Sequence, residues 1–329
     1  MTRPWALARA VLLYGAVVLV AAAALVLAWL RWDAGRSREA WFDQRQGRLS
    51  SAQLQDSGPA RDPGLLAESV VLRADSGLEV RFQVIRRDEP GRWPVMVLIG
   101  GHRTGSDAVN LFDHIGRHAV VALDYPYAGP TRVRGTGEFL RIVPQVRQAF
   151  LDLPPAVSLT VDWLQEQPWV RPDDIVMTGV SLGVPFAATA AARDPRLRGL
   201  LLVHGAADNR LWLEQNIGRR VATEWLRPPV ATVLHWLVYG PAFDTAERVA
   251  AVSPRPVIIV GARDDERSPE DQTLRLYEAA REPKRLRWTE GGHVGPARAD
   301  IIEDLVRIAT EELARAESAR PPLAGGSQP

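Results

Sequence analysis

One serine of the chain stands in a pattern that could do chemistry. Ser181 lies between two glycines in the stretch GVSLG (179–183), after an apolar run at 175–177 and before an alanine-rich run at 187–192. A serine hydroxyl is a weak nucleophile until a neighbouring base takes its proton. A sharp turn from a strand into a helix exposes such a hydroxyl at a sheet edge, and glycines let the two elements approach closely. The pattern indicates a nucleophile, and the alternative is an ordinary tight turn.

A base and a carboxylate are the partners that such a serine needs. Among the six histidines, His293 lies in the glycine-rich stretch WTEGGHVGP, which follows a predicted strand and precedes the last predicted helix. Two aspartates share one local pattern, since Asp208 ends GAAD after one predicted strand and Asp264 ends GARD after the next. The neighbouring Asp265 is a further candidate for the acid. We expect the other five histidines to be structural: His102, His114, His118, His204 and His235.

Strand-like and helix-like segments alternate through most of the chain and must position these residues. The stretches ESVVLRA (68–74) and LEVRFQVI (78–85) are separated by Asp-Ser-Gly at 75–77, which is a hairpin signal. After them, short apolar runs precede helical patterns, as in parallel strands that are buried on both faces. The predicted fold class is α/β, with a mostly parallel, doubly wound sheet that an antiparallel hairpin opens. We predict helices at 107–117, 157–166, 181–193, 269–280 and about 297–316.

One segment interrupts this alternation. Residues 209–252 are rich in Trp and Leu and helical in pattern, and they include Trp212 and Trp236. We interpret the segment as a helical cap over a site at the carboxyl edge of the sheet, where Trp212 and Trp236 would contact the substrate. The alternative is a pair of ordinary helices that pack on the core.

The N-terminal region contains a long uncharged apolar stretch. Residues 10–30 carry no charge over 21 residues, and at about 1.5 Å per residue such a helix spans the ~30 Å hydrocarbon core of a bilayer. The stretch predicts a transmembrane helix after a short basic head at 1–9, and a cleaved signal peptide is the alternative. Because a short basic head commonly stays inside, we expect a single-pass protein of a bacterial inner membrane with its catalytic domain exported. The arginines that follow the stretch favour the opposite orientation.

Composition indicates how the rest of the chain is divided and which partners and sites it excludes. Residues 31–66 are polar and loop-like and are predicted to tether a folded domain at 67–316, while residues 317–329 are predicted to be a disordered tail. The 40 basic and 39 acidic residues are spread along the chain, which argues against a nucleic-acid partner. The chain has no cysteine, so thiolate nucleophiles, disulfides and thiolate metal sites are excluded.

These motifs resemble the α/β-hydrolase family, with GVSLG as its nucleophile elbow. The preceding run VDWLQEQPWVRPDDIVMTG (161–179) looks like the helix-strand-elbow run of the dienelactone-hydrolase-like, acyl-CoA-thioesterase-like and prolyl-oligopeptidase-like branches. The resemblance covers about 67–316 and implies an α/β-hydrolase fold with a helical cap insertion. Two positions depart from the pattern, because many relatives have a second glycine at Val184 and a histidine at Ile99.

The resemblance also implies the roles of the reacting groups. The family's chain order of serine, acid and histidine is met by Ser181, Asp264 and His293, with Asp208 and Asp265 as alternatives for the acid. The histidine would take and return the proton of the serine, and the aspartate would hold the imidazole in the required tautomer.

An oxyanion hole is the other part that the resemblance implies. One donor would be the backbone N–H of Leu182, and the second would be the N–H of Gly101 or His102 in the stretch LIGGHRTG (98–105). Arg103 in the same stretch is a candidate contact for an anionic group of the substrate.

The resulting expectation is a membrane-tethered serine hydrolase that cleaves a carboxylic ester or thioester through an acyl-enzyme. A related hypothesis is that the aromatic side chains of the cap admit lipid acyl chains from a bilayer. No metal ion or organic cofactor is implied. The alternatives are a serine peptidase of the same fold and a non-catalytic binding module that has kept the fold.

Overall fold

The elements that position the candidate residues are seen in a computed structural model, which describes residues 4–101, 104–111, 116–130, 135–219, 221–295 and 298–318. The strands are β1 Leu49–Pro59, β2 Leu65–Ala74, β3 Glu79–Arg87, β4 Trp93–Ile99, β5 Ala119–Leu123, β6 Val170–Val180, β7 Leu197–Val203, β8 Val257–Ala262 and β9 Lys284–Thr289. The α-helices are α1 Pro4–Ala34, α2 Glu39–Gln46, α3 Gly135–Gln165, α4 Val184–Arg193, α5 Asn209–Asn216, α6 Arg227–Val238, α7 Thr245–Ala250, α8 Glu270–Ala279 and α9 Ala299–Ser318.

The strands form one sheet in the order β1-β2-β3-β5-β4-β6-β7-β8-β9. Strands β1, β2 and β3 pair antiparallel, β3 pairs antiparallel with β5, and the pairs from β5 to β9 are parallel. Every residue of β5 and β8 is buried, which explains their unbroken apolar sequences. The predicted sheet, mostly parallel and opened by an antiparallel hairpin, is confirmed.

The strand order creates a switch point at the centre of the sheet. Strand β4 lies between β5 and β6, so the chain crosses to one side of β4 and later returns to the other. Ligands of open α/β sheets bind in the crevice that such a reversal leaves beyond the carboxyl ends of the strands. Here Ile99, the last residue of β4, is in register with Gly179 of β6, so the loop after β4 and the serine after β6 border one crevice.

Helices cover both faces of the sheet. The larger core contains residues of α3 and α4, including the fully buried Phe186, and alternate residues of β4. On the other face, Ile308 and Ala309 of α9 pack with Met96 of β4. Helix α3 is longer than the predicted 157–166, since it begins at Gly135 and continues through three internal prolines. The helix predicted at 107–117 is a 3₁₀ helix over Gly105–Leu111, and residues 112–115 lie outside the described residues.

The prediction that 31–66 is a loop-like tether is wrong. Helix α2 packs Phe42 into the main core with no exposed surface, and Arg45 donates to both carboxylate oxygens of Asp152 in α3 at 2.8 and 3.0 Å. Strand β1 then forms the edge of the sheet by pairing along β2. Its side chains are mostly exposed, so the sequence is polar although the backbone is in the ladder.

The segment predicted as a cap contains three of the helices. Between β7 and β8 the chain forms α5, α6 and α7, joined by short 3₁₀ turns. Asn209 ties the two ends of this segment together, because its side-chain amide donates to the carbonyl of Phe243 at 2.5 Å and its oxygen accepts from Thr245 at 3.1 Å. Helix α6 contacts α5, α3 and α1.

Helix α1 is exposed over its apolar length. The span Ala8–Ala34 has a mean hydropathy of 2.7 in its most apolar window, and that window is not buried against the domain. The helix is long and apolar enough to cross a membrane by length and composition, a test that a signal sequence also passes. Its last turn is held on the domain, since the buried carboxylate of Asp33 pairs with Arg147 of α3 and with Arg38.

The packing of α2 gives a prediction about stability. Replacing Phe42 with alanine should lower the free energy of unfolding by about 3–5 kcal/mol, because it leaves a cavity in the main core. Urea unfolding of the full chain in detergent, followed by tryptophan fluorescence, measures the change. Gln44→Ala is the matched control on the exposed side of the same helix, and it should change the free energy by less than about 0.5 kcal/mol. Equal small effects of both substitutions would contradict the packing of α2 on the core.

Candidate active site

Ser181 occupies a strained turn between β6 and α4. Val180 is extended, with φ −120° and ψ 125°, and Ser181 then has a φ of 53°, which non-glycine residues rarely adopt. A 3₁₀ turn over Ser181–Gly183 leads directly into α4. The serine therefore stands at the carboxyl end of β6, beside the switch point, as the sequence predicts for a nucleophile elbow.

Two glycines allow the strand and the helix to cross this closely. A Cβ atom on Gly183 would overlap the carbonyl of Ile99 at the end of β4. A Cβ atom on Gly179 would lie 2.6 Å from the Cβ of Ala187, one turn into α4. Side chains at either position would push α4 away from the sheet, so the two glycines are required by close approach.

A third glycine, Gly205, makes room for Val184, which stands where many relatives have glycine. Val184 is fully buried, and its methyl groups occupy the space next to Gly205, where a Cβ would lie 2.5 Å from them. Gly205 follows β7, the neighbour of β6. Val184 at the start of α4 therefore fits because Gly205, beyond the adjacent strand, has no side chain.

His293 reaches Ser181 from the loop after β9. The Oγ of Ser181 and the Nε2 of His293 are 2.6 Å apart, within hydrogen-bond distance. The backbone N–H of His293 donates to the carboxylate of Glu266 at 3.0 Å, and the ring is almost fully buried. Gly291, two residues earlier, has a φ of 79° and allows the loop to turn towards Ser181.

The carboxylate at His293 belongs to Asp265, and the prediction of Asp264 is corrected. Both carboxylate oxygens of Asp265 lie 2.9 Å from the Nδ1 of His293. Asp264 has an exposed side chain, and its backbone N–H donates to the carbonyl of Gly291. Asp208, the other alternative, caps α5 by accepting from the N–H groups of Arg210 and Leu211.

The loop after β8 explains why the second aspartate of the pair faces inward. An oxygen of Asp265 accepts the backbone N–H groups of Arg267 and Ser268, both at 2.8 Å. This Asx turn fixes the carboxylate towards the core and leaves Asp264 on the outside of the bend. Burial alone would raise the pKa of Asp265, but the hydrogen bond from His293 and the N–H groups of Ser268 and Arg267 lower it below its ordinary value, so the carboxylate stays ionised.

A second buried histidine supports the loop that carries His293. His204 has a φ of 50° and no exposed surface, and its Nδ1 accepts the N–H of Val294 at 3.0 Å. The proton of the neutral ring is therefore on Nε2, which lies 3.1 Å from the hydroxyl of Thr289. Burial lowers the pKa of His204 to about 4, outweighing the opposite effect of Asp265 at 3.9 Å.

His204, Asp265 and His293 also have the composition of a metal site. Their potential ligand atoms lie within 4.8 Å of one another. All four ring nitrogens of the two histidines are already engaged, with Val294, Thr289, Asp265 and Ser181. A metal ion would have to displace these contacts. The three side chains are therefore better explained as a hydrogen-bonded network than as ligands of a metal ion.

The turn after β4 provides the expected place for oxyanion donors. Gly101 borders the same cavity as Ser181 and Leu182, and nothing lies within 4 Å of where its Cβ would be. The carbonyl of Gly100 accepts a hydrogen bond from the hydroxyl of Tyr125 at 2.8 Å, and the carbonyl of Gly101 accepts from Thr104. These bonds to its carbonyl groups hold the turn in place. The N–H of Leu182 lies in a first helical turn, where donors lack an intrahelical acceptor. His102 and Arg103, both predicted site residues, lie outside the described residues.

An apolar cavity of about 390 Å³ opens at Ser181. It is lined by residues of β4, β6, β7 and α9, by the 3₁₀ helix Gly105–Leu111, and by the loops around Gly101 and Val294. Trp212 of α5 borders the cavity, as expected for a residue of the cap. Trp236 is half-buried in α6 and is not part of the cavity lining in the described chain.

The sequence gives Asp265 only as an alternative and does not indicate Glu266 or Tyr125, and it predicts a structural His204 without the loop that His204 supports. For Asp265 the local tendency of aspartate to accept a backbone N–H two residues on is the available signal, but Asp264 shares it. The other three act through contacts between distant parts of the chain, 25 to 90 residues apart, and no local pattern marks them.

Comparison with known proteins gives a similarity of structure only. No family model and no curated protein matches the sequence. An acetyl xylan esterase from Paenibacillus sp. R4 is similar over 83% of this chain and 95% of its own, with a TM-score of 0.60 and 17% identity. Acetyl xylan esterase 1 from Thermoanaerobacterium sp. JW/SL YS485 is similar over 85% and 97%, with a TM-score of 0.57 and 17% identity. The α/β hydrolase GrgF from Penicillium sp. sh18 has a TM-score of 0.55 and 19% identity over 76% of this chain and 98% of its own. The chain has the α/β-hydrolase fold.

The burial of His204 gives a prediction about pH. Because its pKa is about 4 in the folded chain and about 6.5 in the unfolded chain, the unfolded state binds the extra proton between these values. The stability that depends on a neutral His204 is fully present above pH 6.5. The free energy of unfolding should fall by about 3 kcal/mol as the pH decreases to 4. Urea unfolding at a series of pH values measures the slope.

His204→Asn is the informative variant for this prediction. Asparagine tolerates a positive φ and keeps a side-chain acceptor for the N–H of Val294, but it does not titrate. Its free energy of unfolding should vary less steeply between pH 6.5 and 4 than that of the wild type. Parallel pH profiles of the two proteins would show that His204 does not contribute to the slope.

Proposed function

We propose that this protein is a serine hydrolase that cleaves a carboxylic ester or thioester through an acyl-enzyme. The observation that supports this most is the chain of contacts from Ser181 through His293 to Asp265, at 2.6 and 2.9 Å, beside the switch point of the sheet. The order along the sequence is serine, aspartate, histidine, as in other hydrolases of this fold. Structural similarity to proteins titled esterases supports the same class.

In the first half of the proposed reaction, the Oγ of Ser181 attacks the carbonyl carbon of the substrate. The Nε2 of His293 takes the serine proton, and the ionised Asp265 stabilises the resulting imidazolium through its Nδ1–H. The tetrahedral intermediate collapses as the bond to the alcohol or thiol breaks. That leaving group takes the proton from His293, and the acyl group remains on Ser181.

In the second half, water replaces the alcohol or thiol. His293 takes a proton from the water, whose oxygen attacks the acyl carbon, and the proton then returns to the Oγ of Ser181 as the carboxylic acid leaves. In both halves the negative charge on the carbonyl oxygen is stabilised by the N–H of Leu182 and a donor from the turn at Gly101. One such donor contributes about 3–4 kcal/mol to stabilisation of the transition state. Tyr125 holds this turn by its bond to Gly100.

The chain of contacts at Ser181 favours an enzyme over a binding module. A strained φ at the serine costs free energy and serves no evident purpose in a scaffold, and an ionised carboxylate held against the histidine that contacts the serine is what acyl transfer requires. Esters and thioesters need less protonation of the leaving group than amides, and the structurally similar proteins include two acetyl xylan esterases, so a peptidase is the second choice.

We also propose that α1 anchors the enzyme in a membrane. The helix is exposed and apolar over Ala8–Ala34, and its last turn is fixed by the pairing of Asp33 with Arg147. Contact between α1 and α6 would then hold the cap near the membrane surface.

The proposed triad can be tested with a fluorophosphonate, which labels activated serines. The full chain in detergent should be labelled, and Ser181→Ala and His293→Ala should not be. Asp265→Asn should slow hydrolysis of a simple ester by roughly 10³–10⁴-fold, because asparagine stabilises the wrong tautomer of His293. Asparagine keeps an oxygen for the N–H groups of Arg267 and Ser268, so the loop should remain folded.

Asp264→Asn is the matched control, since it makes the same chemical change one residue earlier. Its rate should stay within a few-fold of the wild type. A slow Asp264→Asn protein with a fast Asp265→Asn protein would reverse the assignment of the acid. A folded wild type that is not labelled and hydrolyses no ester or thioester would contradict the proposed function.

The anchor can be tested by fractionating cells that express the full chain. An anchored protein should remain in the membrane pellet after a carbonate wash and keep its full mass of 36.3 kDa. External protease should degrade its domain in intact spheroplasts if that domain is exported. A shorter protein in the soluble fraction would indicate a cleaved signal peptide instead.

A further inference from the structure

We propose that the cavity beside Ser181 binds an unbranched hydrocarbon chain, so that the preferred substrate is an ester or thioester with a chain well beyond two carbons. The inference rests on the proposed function for its chemistry, and the cavity itself supplies the substrate class. The chain would lie between the sheet and α9, on the opposite face from α3 and α4, and not within the cap segment.

The cavity exists because α9 stands away from part of the sheet. Met96 and Leu98 of β4 point to the same face, as do alternate residues of any strand, and Val203 of β7 joins them in the cavity wall. Leu305 and Ala309, which are four residues apart on α9, face them from the other side. The space is therefore a slot between a flat apolar sheet face and one apolar face of a helix.

The slot is long and narrow enough for an extended chain. Its walls run from Gly100 to Met96 along β4, which is about 13 Å at roughly 3.3 Å per residue. They run from Ile302 to Ala309 along α9, which is about 10 Å at 1.5 Å per residue. Strand β4 ends and α9 begins at the loops next to Ser181, so Met96 and Ala309 mark the deep end. An acetyl group would fill only the mouth.

The chemistry of the walls selects against polar substrates. In the described lining the charged residues are Arg267 and Arg298, and both belong to the loops at the mouth. The walls further in are aliphatic except for the hydroxyls of Thr104 and Thr178. The Thr104 hydroxyl already donates to the carbonyl of Gly101, so the buried hydroxyl of Thr178 is the one left without a partner among these wall residues. A sugar or a peptide in the slot would therefore lose most of its hydrogen bonds to water without replacing them, whereas burial of methylene groups is favourable.

The size of the cavity argues against a packing defect. Voids in protein interiors are few and rarely larger than a water molecule, whereas about 390 Å³ lies in the range of ligand sites. The surrounding residues are otherwise close-packed, since Ile308 and Leu201 next to the slot are 1% exposed. The opening at Ser181 makes this volume available to the part of the substrate that adjoins the scissile bond.

Ester hydrolysis by the full chain in lipid nanodiscs tests the proposal. Two series are compared: p-nitrophenyl esters from acetate to dodecanoate, and acetate esters of alcohols of the same lengths. The value of kcat/KM should rise with chain length in one series and then fall once the chain exceeds the slot. The series that responds identifies whether the acyl or the alcohol chain enters.

A variant that shortens the slot provides the decisive comparison. Ala309→Met places a longer side chain at the deep end, and the ratio of kcat/KM for the decanoate over the acetate ester, or for decyl acetate over ethyl acetate, should fall roughly tenfold or more. Glu303→Met introduces the same side chain on the exposed side of α9 and should leave the ratio unchanged. Melting temperatures show whether both variants are folded. An Ala309→Met protein that unfolds is replaced by Ala309→Val, for which a smaller fall is expected.

Failure of the inference and failure of the proposed function give different results. A wild type that is labelled by a fluorophosphonate but prefers the shortest chain in both series, with a ratio unchanged in Ala309→Met, overturns the inference alone. If no serine is labelled, calorimetric titration with decanoate, corrected for empty nanodiscs, still reports on the slot. Binding that weakens in Ala309→Met and not in Glu303→Met supports the chain site, and absence of binding overturns it.

Discussion

The arrangement of the site depends on the close crossing of β6, α4 and β4. Gly183 lies against the carbonyl of Ile99 and Gly179 against Ala187, so the helix starts directly above the strand ends. This crossing forces Ser181 into a φ of 53°, a conformation that costs on the order of 1–3 kcal/mol. Burial of α4 offsets that cost, since all its residues from Val184 to Ala191 are buried. The same contact places the serine beside the turn of Gly101, so one packing constraint brings together the proposed nucleophile and the proposed oxyanion site.

Much of this could be predicted from the sequence, because the signals are local. Apolar runs without alternation indicate strands buried on both faces, and the elbow has glycines where close approach requires them. His293 is marked by the glycines that let its loop turn. The identity of the acid was not predicted correctly, since Asp264 and Asp265 differ by one position. The choice between them depends on an Asx turn to Arg267 and Ser268, which rotates one carboxylate inward.

The N-terminal part of the domain shows where such reasoning fails. Strand β1 is an edge strand with mostly exposed side chains, so its polar sequence resembles a loop although its backbone pairs with β2. Helix α2 contributes one large side chain to the core, Phe42, and a single apolar residue produces no periodic pattern. His204 is structural, as expected, but the loop that it supports could not be predicted, because its contacts with Thr289 and Val294 lie more than 80 residues away. These elements are specified by tertiary contacts that local sequence does not encode.

The two faces of the sheet differ in a way that bears on how such an enzyme evolves. On the face of α3 and α4, close packing is imposed by the elbow, and a change of volume there would displace Ser181. On the face of α9, the slot beside Leu305 and Ala309 is not needed to hold the serine, the histidine or the aspartate in place. Substitutions on α9 can therefore alter the space for a substrate without moving the reacting groups. In the proposed enzyme, reactivity and chain-length preference are set by opposite faces of one sheet, so they can vary independently.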